Sequence, residues 1–377
     1  MFYIAVFLGL CVLSYFEYRG KSFKYLSLET LFLIVTLITV FRFGQGTDYF
    51  AYVDIYDKTP SFLGVSSFGE IFATNSDVEF GYVLFMAIFK TLHLNFEVFC
   101  GVSGIITMYL FYKFIKQNAK LPITAFSVFY VLYYLVYVLS GMRQGLAIAI
   151  FVGIGIQLYK RKKYKEFVLL VLLTATIHVS ILVTLMVFVL DKLGDNYKFY
   201  CALGILAILI IYFNFDVAII NLMPGFLADK LSMYLTDGRA SMMSFINRFT
   251  ILALVLFYSF GEKEDKDLIF FKKIYIFSFV LYLLTMKSMT ISTRITLYFK
   301  IFEVILIPNV VMNLLRDNKK FKALQLYGMS MAIVAVLLIK TLNAFLDEGY
   351  YKDHVNVVNY PYVTIFNKDR LWDFKEH

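Results

Sequence analysis

Charged residues are scarce in this sequence. Only 17% of its 377 residues are Asp, Glu, Lys or Arg, against about 25% in average soluble domains. Hydrophobic residues make up 60% of the chain, and the mean hydropathy is +0.73. One aqueous core cannot bury a surplus of this size, so lipid must solvate much of the surface. We therefore predict an all-α polytopic integral membrane protein with about 11–13 transmembrane or re-entrant helices.

Cysteine and histidine are also few, and neither forms a recognisable site. Cys11, Cys100 and Cys201 lie in separate apolar stretches, so the sequence predicts neither a disulfide framework nor a cysteine metal site. The other three histidines share no ligand spacing with His178, which argues against zinc. We therefore expect no metal site and no cofactor.

The formal net charge of +9 is not arranged as a nucleic-acid-binding surface. Lys and Arg gather instead in short loops between apolar segments, a distribution that orients membrane helices, so we expect no nucleic-acid partner. These clusters lie at 19–24, 113–120, 160–165 and 316–322. With the basic loops inside, loops at about 43–78 and 215–243 and the C-terminal tail 343–377 lie outside.

Apolar segments follow one another along nearly the whole chain, with no internal repeat and no low-complexity linker. One membrane domain over 1–377 is therefore predicted. The segments are 2–17, 25–41, 96–115, 122–140, 143–159, 166–190, 199–214, 245–260, 270–287, 294–312 and 322–341. Residues 1–16 lack a basic region and a small-residue cleavage site, so we expect a retained first helix rather than a signal peptide.

Two further features disturb the alternation of inside and outside. The apolar segment 79–92 is too short for a comfortable crossing, and segment 166–190 must begin and end inside. We predict that the first is re-entrant and that the second is a broken hairpin with His178 near its tip. A tilted single span for 166–190 is the alternative. Irregular backbone at membrane depth is tolerated only where protein buries it or where it lines a cavity, so both features point toward a site.

Arg143 and Gln144 are the strongest polar candidates, because they stand between two long apolar runs. One interpretation is an interfacial arginine that reaches water. The other is an anion site, because free N–H groups and the positive dipole end favour anions at the start of a helix. That helix carries small residues every four positions, at Gly141, Gly145, Ala149 and Gly153, a stripe that lets another backbone approach closely.

His178 and Glu79 are two more polar residues in apolar surroundings. His178 is either a buried imidazole satisfied by its neighbours or a general base or donor to a sugar or phosphate oxygen. Glu79 is either a carboxylate favoured by the dipole at a helix start or a catalytic carboxylate.

The segment 42–49 reads Arg-Phe-Gly-Gln-Gly-Thr-Asp-Tyr and opens the predicted outer loop. Its two glycines allow a tight turn that would present Asp48 and Tyr49 at the membrane surface, with Tyr52 close behind. Carboxylates beside aromatic rings suit a carbohydrate site, and the alternative is an ordinary acidic loop. A phosphate loop is excluded, because no Lys-Ser/Thr follows the glycines and no strand precedes them.

The C-terminal half contributes a smaller set of candidates. Arg294 and Tyr298 lie one helical turn apart at the predicted outer end of segment 294–312, where they could meet a substrate. Lys300 and Glu303 follow at a spacing that predicts a structural ion pair. Arg248, near the outer end of its own segment, is a weaker candidate for binding an anion.

These motifs occur in a defined order along the chain. They are the segment 42–49, Glu-Phe-Gly-Tyr at 79–82, Arg-Gln-Gly-Leu-Ala at 143–147, His178, Arg294 with Tyr298-Phe299, and a late Pro-Tyr pair. In this order and spacing the chain resembles the EpsG family of Wzy-like bacterial polysaccharide repeat-unit polymerases, over about residues 40 to 362.

The resemblance implies a glycosyltransferase-type polymerase of exopolysaccharide, capsule or O-antigen assembly, multi-pass in the bacterial inner membrane. Its substrate would be oligosaccharide repeat units carried on undecaprenyl pyrophosphate and joined at the periplasmic, outer face. The growing chain would move from its lipid carrier onto the next lipid-linked unit. The implied partners are this lipid-linked oligosaccharide, membrane lipid, a chain-length regulator and a flippase.

In such an enzyme the arginines are candidates to hold the pyrophosphate. Arg143 and Arg294 are the first choices, Arg42 comes after them, and Gln144 and Arg248 are further contacts. Stabilising the charge on the departing pyrophosphate at a site of low dielectric constant is worth several kcal/mol and requires no metal.

A base must also take the proton of the acceptor hydroxyl. Asp48, Glu79 and His178 are the candidates, in no established order. Tyr49 and Tyr52 could stack on sugar rings, and Tyr298 adds a further substrate contact.

Three other activities would require similar structural features and polar residues. A flippase for the same lipid-linked sugars would also contain broken helices and buried polar residues, although transporters often show two related halves and none is visible here. An O-antigen ligase would share the donor chemistry but use another acceptor. A membrane acyltransferase using His178 is the weakest alternative.

Overall fold

The computed structural model describes residues 2–19, 27–67, 69–192, 197–213, 238, 240–259, 266–316, 320–349 and 351–375. The predicted outer loop 215–243 falls outside them except for 238 and 240–243, as do Lys21, Lys24, Lys319 and His377. The described residues form helices and no β-strand, with only two isolated bridges. The all-α polytopic class is confirmed.

The helices are numbered here in chain order. They are α1 Phe2–Tyr18, α2 Leu28–Val40, α3 Tyr49–Lys58, α4 Glu70–Ala73, α5 Phe80–Thr91, α6 Phe96–Asn118, α7 Pro122–Ser140, α8 Met142–Lys160, α9 Tyr164–Ala175, α10 Val187–Lys192, α11 Tyr197–Tyr212, α12 Met242–Ser259, α13 Lys266–Thr285, α14 Met289–Lys300, α15 Glu303–Arg316 and α16 Lys320–Glu348. Short 3₁₀ turns cover Phe62–Gly64, Val179–Met186 and Lys368–Asp373.

Four of the described helices are long and apolar enough to cross a membrane, namely α6, α7, α8 and α13. Shorter apolar helical stretches of 10–17 residues lie in α1, α2, α5 and α12. The chain divides into two compact units, residues 1–179 with 314–377 and residues 180–313, called here the first and second units. The prediction of one membrane domain stays a prediction.

Small residues bring helix backbones close together within the first unit. A Cβ added at Gly145 on α8 would overlap the carbonyl oxygen of Tyr137 on α7. A Cβ at Gly153 would lie 2.8 Å from the carbonyl oxygen of Leu110 on α6. The predicted stripe therefore packs α8 against two neighbours through Gly145 and Gly153, as small residues do in membrane helix pairs.

The C-terminal tail packs against the segment that follows α2. Phe43 N–H donates to the Val363 carbonyl, and Ile365 N–H donates to the Phe41 carbonyl, each at 2.9 Å. Lys368 forms an ion pair with Glu97 at the start of α6. The tail and the segment after α2 thus share one end of the first unit. Their predicted location on the outer side of the membrane stays a prediction.

Two predicted segments differ from the observed helices, and a third is broken where the sequence predicted. The outer loop 43–78 contains helix α3, which the search for apolar runs missed because six of its ten residues are Tyr, Asp or Lys. The segment 166–190 is broken at 176–178, as predicted, whereas its return to the inner side stays a prediction. The segment 294–312 is not one span, because α14 ends at Lys300 and α15 begins at Glu303.

The predicted pair of Lys300 and Glu303 is confirmed at that break, with 2.7 Å between Nζ and Oε1. Glu303 is fully buried and also accepts a hydrogen bond from the Tyr275 hydroxyl at 3.1 Å. The turn between the two helices brings both partners together inside the second unit.

Replacing Gly145 by Ala is expected to destabilise the protein by about 1–3 kcal/mol, because the new methyl group must push α7 and α8 apart. Thermal unfolding in detergent measures the effect. Gly9→Ala in α1 is the matched control, since a Cβ there meets nothing within 4 Å, and it should leave stability unchanged or slightly raised. Equal behaviour of the two variants would contradict the close approach.

Candidate active site

Three helix ends meet in the first unit, and each contributes one polar side chain. Glu79 directly precedes α5, Arg143 lies in the first turn of α8, and His178 lies in the break after α9. The three residues are far apart in sequence, so only the tertiary packing of these ends brings them together.

Glycine at position 81 allows the start of α5 to dock against the break after α9. Gly81 N–H donates to the Thr176 carbonyl at 2.8 Å, and a Cβ at position 81 would overlap the Thr176 side chain. The motif Glu-Phe-Gly-Tyr therefore places Glu79 beside the break because its glycine has no side chain.

The Glu79 carboxylate joins the other two side chains. Its Oε2 lies 2.5 Å from Nη1 of Arg143, and its Oε1 lies 3.2 Å from Nδ1 of His178. Oε1 also accepts a hydrogen bond from Val179 N–H at 3.2 Å. The side chains of Glu79, Arg143 and His178 are 20%, 24% and 11% exposed, so the cluster is largely shielded but open at one edge.

Glu79 is ionised in this setting. Burial of its carboxyl opposes ionisation, but the hydrogen bond to His178 and the charge of Arg143 outweigh burial and lower the pKa of Glu79 to about 2. Glu79 lies before α5 and outside the apolar helices. Its carboxylate therefore acts as an acceptor and a counter-ion, and it is a poor proton donor.

The ionised carboxylate fixes the tautomer of His178. A carboxylate only accepts hydrogen bonds, so Nδ1 of His178 must carry the proton that faces Glu79. In the neutral ring the other nitrogen, Nε2, is then a bare acceptor. Nε2 is buried and has no hydrogen-bond partner within the described part of the chain. The neutral imidazole thus turns its acceptor nitrogen, Nε2, away from Glu79.

Tyr52 and Tyr49 do not stand on the surface as sugar platforms, which corrects the sequence prediction. Tyr52 is 5% exposed, and its hydroxyl accepts a 3.4 Å hydrogen bond from the backbone N–H of Arg143. Tyr49 is 1% exposed and packs edge-on against Phe43 and Phe96. Both rings lie on the buried face of α3. They belong to the hydrophobic cluster that also contains Met142, the residue before Arg143.

Arg42 is likewise too deeply buried to contact a pyrophosphate, and this prediction is also corrected. It is 2% exposed. Its guanidinium donates to the Val138 carbonyl at 3.2 Å and contacts the sulfur atoms of Met142, at 3.0 Å, and Cys100, at 3.3 Å. Arg42 therefore braces the turn between α7 and α8 that carries Arg143.

The segment after Arg42 holds the same turn from its other side. Thr47 Oγ1 lies 2.6 Å from Ser140 Oγ, which also accepts from Asp48 N–H at 3.3 Å. A Cβ at Gly46, where φ is +98°, would overlap the Leu139 carbonyl, so only glycine allows this approach. Ser140, Thr47 and Met142 had no role in the sequence prediction, although all three lie in its motifs or beside them.

Asp48 lies next to this turn but outside the cluster formed by Glu79, Arg143 and His178. Its Oδ1 accepts a hydrogen bond from the Thr47 hydroxyl at 2.9 Å. Gln144 follows Arg143 along α8 and is buried, 8% exposed.

The remaining candidates belong to the second unit. Arg248 donates to Thr296 Oγ1 at 2.9 Å and lies 4.3 Å above the ring centre of Tyr282. The Tyr298 and Ser180 hydroxyl oxygens are 3.1 Å apart. The predicted roles of Arg248, Arg294 and Tyr298 toward a substrate stay predictions. Among the residues described, no group of three or more His, Cys, Asp or Glu could hold a metal ion.

Comparison with known families identifies the chain's relatives. The model of the EpsG family matches residues 25–356, most of the sequence. The chain belongs to the EpsG family. EpsG proteins are a family of Wzy-like polymerases, so a glycosyltransferase-like role in polysaccharide polymerisation follows for this multi-pass membrane protein. No curated protein and no solved structure matches the chain significantly.

The Glu79–Arg143 ion pair should couple strongly because both partners are largely buried. In a double-mutant cycle with Glu79→Ala and Arg143→Ala, we expect a coupling free energy of about 1–3 kcal/mol in unfolding measured in detergent. The Asp54–Lys58 pair is a matched control, since its N–O distance is also 2.5 Å but its side chains are 60% and 57% exposed. Its coupling should be about 0.3–0.5 kcal/mol. Equal values for the two pairs would contradict the described burial.

Proposed function

We propose that this EpsG-family protein joins oligosaccharide repeat units carried on undecaprenyl pyrophosphate, at the outer face of the bacterial inner membrane. The observation that carries the proposal is the bare Nε2 of His178, held by Glu79 beside the cation of Arg143. A proton acceptor and a cation that share one carboxylate are suited to glycosyl transfer from a phosphate leaving group.

The position of the cluster along the helices supports the outer face. Helix α8 has 19 residues and spans about 28 Å, close to the thickness of a bilayer core. Arg143 lies in its first turn and Lys160 at its end. Lys160 contacts Asn118 at the end of α6, so the basic loops 113–120 and 160–165 share the far end. Because basic loops face the cytoplasm, the cluster would face outward.

In the proposed reaction, His178 is the general base. Its Nε2 takes the proton of the acceptor hydroxyl while the hydroxyl oxygen attacks the anomeric carbon of the donor sugar. The bond between that carbon and the pyrophosphate oxygen breaks, and the electron pair leaves with the pyrophosphate. Glu79 stabilises the imidazolium that forms, as a carboxylate does behind a catalytic histidine.

Arg143 would stabilise the departing pyrophosphate. One amino group of its guanidinium is bound to Glu79, and its Nε has no hydrogen-bond partner in the described structure. Charge stabilisation by a partly desolvated arginine is worth several kcal/mol at the transition state. Of the three candidate bases, Glu79 is occupied by three donors and Asp48 lies outside the cluster, which favours His178.

Replacing His178 by Ala should lower the polymerisation rate by about 10²–10⁴-fold, because the general base is lost. Arg143→Ala should also abolish long chains, leaving single units. The assay uses the full chain in nanodiscs with lipid-pyrophosphate oligosaccharide and resolves products by length on gels. His93→Asn is the matched control, since His93 is exposed and its φ of 56° is one that asparagine tolerates.

Full-length polymer from His178→Ala at the wild-type rate would overturn the assignment of the base. Wild-type protein that moves lipid-linked sugar across a bilayer without elongating it would favour transport. Transfer to a non-lipid acceptor only would favour a ligase.

A further inference from the structure

A groove of about 510 Å³ lies in the first unit, on the surface formed by α6, α8 and α9. Its walls are aliphatic over most of their length and include Ile106, Ile154, Leu170, Leu173, Thr174 and Ile177. The Thr174 hydroxyl donates to the Leu170 carbonyl at 2.7 Å, so its hydrogen is already used. The groove therefore offers hydrocarbon contact and no charged group.

One end of this groove adjoins the candidate active site. The Thr174 carbonyl accepts hydrogen bonds from the backbone N–H groups of Ile177, at 2.9 Å, and His178, at 3.0 Å. Ile177 also packs against the cluster that contains Tyr52 and Met142 beneath Arg143. The groove thus ends at the backbone that positions His178.

The rim of the groove is exposed on the surface of the first unit. Leu173 is 59% exposed, and Ile106 is 38% exposed. A hydrocarbon chain fits these walls, whereas a charged headgroup meets no charged partner along them in the described part of the chain, and the Tyr109 hydroxyl is the one polar side-chain group there besides Thr174. Arg143 and His178, together with the Glu79 carboxylate that binds both, are the charged and polar groups of the cluster that adjoins the end of the groove.

We propose that this groove binds the polyprenyl chain of the lipid pyrophosphate donor. The proposal rests on the proposed function, which places the pyrophosphate at Arg143. A chain lying along Leu173 and Leu170 would continue directly to a phosphate at the cluster. The groove would then select donors by lipid length and hold the sugar-bearing end at His178.

The experiment that tests this proposal fills the groove and compares two lengths of the donor's isoprenoid chain. Leu173→Trp places an indole in the groove, and Leu172→Trp is the matched control, a neighbouring leucine of similar exposure (51%) that does not line the groove. Each full-length variant, in nanodiscs, receives the same oligosaccharide pyrophosphate on an undecaprenyl chain or on a two-isoprene chain.

We expect Leu173→Trp to raise KM for the undecaprenyl donor about tenfold, because the indole displaces contacts equal to roughly two methylene groups. KM for the short donor should stay within about twofold, and Leu172→Trp should match wild type with both donors. Equal KM values for Leu173→Trp and Leu172→Trp with the long donor would overturn the proposal. So would an equal rise in KM for both donors.

A second readout does not need activity. Undecaprenyl phosphate carrying a diazirine in its isoprenoid chain should label peptides from α6, α8 and α9 in wild type, and at least fivefold less in Leu173→Trp. Equal competition by phosphatidylglycerol would assign the groove to bulk lipid and overturn the proposal. Labelling as expected, with no elongation by wild type, would uphold the groove and contradict the proposed function instead.

Discussion

The ionised carboxylate of Glu79 is the interaction on which the rest of the site depends. Burying a carboxylate is unfavourable unless charge and hydrogen bonds compensate. Arg143, His178 and Val179 N–H supply that compensation from two other segments of the chain. Because the carboxylate needs all of these donors, it ties the start of α5, the start of α8 and the break after α9 to one point.

Several glycines and buried polar side chains hold these three helix ends around the Glu79 carboxylate. Gly81 allows α5 to approach Thr176, and Gly145 allows α8 to approach α7. Arg42 and Ser140 hold the turn that leads into α8. These residues contact no substrate in the proposed reaction. They instead fix the positions of the residues that would contact it. Mutations in these supports should therefore mimic mutations in the cluster.

Most of the helices and the candidate residues of the cluster could be predicted from the sequence. Hydrophobic runs predict most of the helices because each must supply an apolar surface to lipid or to its neighbours. Charged or polar residues inside such runs, such as Arg143 and His178, stand out because membrane burial makes them costly. The break near His178 could also be predicted, since basic residues on both flanks favoured a broken hairpin over the alternative of a tilted single span.

Other features could not be predicted, because they depend on side-chain direction within the fold. Arg42, Tyr49 and Tyr52 lie in a polar-looking loop, and only the packing of α3 shows that they point inward. The role of Glu79 as the shared partner required three distant segments to meet. The choice among three candidate bases likewise depends on which side chain retains a bare acceptor, a property of contacts rather than of residue type.

The most direct test of this account is the tautomer of His178. Nitrogen NMR of the full-length protein labelled with ¹⁵N-histidine, at mildly alkaline pH, can identify His178 as the signal lost in His178→Asn. The account predicts a proton on Nδ1 and a bare Nε2, with the Nδ1–H signal shifting in Glu79→Gln. A proton on Nε2 instead, or a His178 signal indifferent to Glu79→Gln, would contradict it.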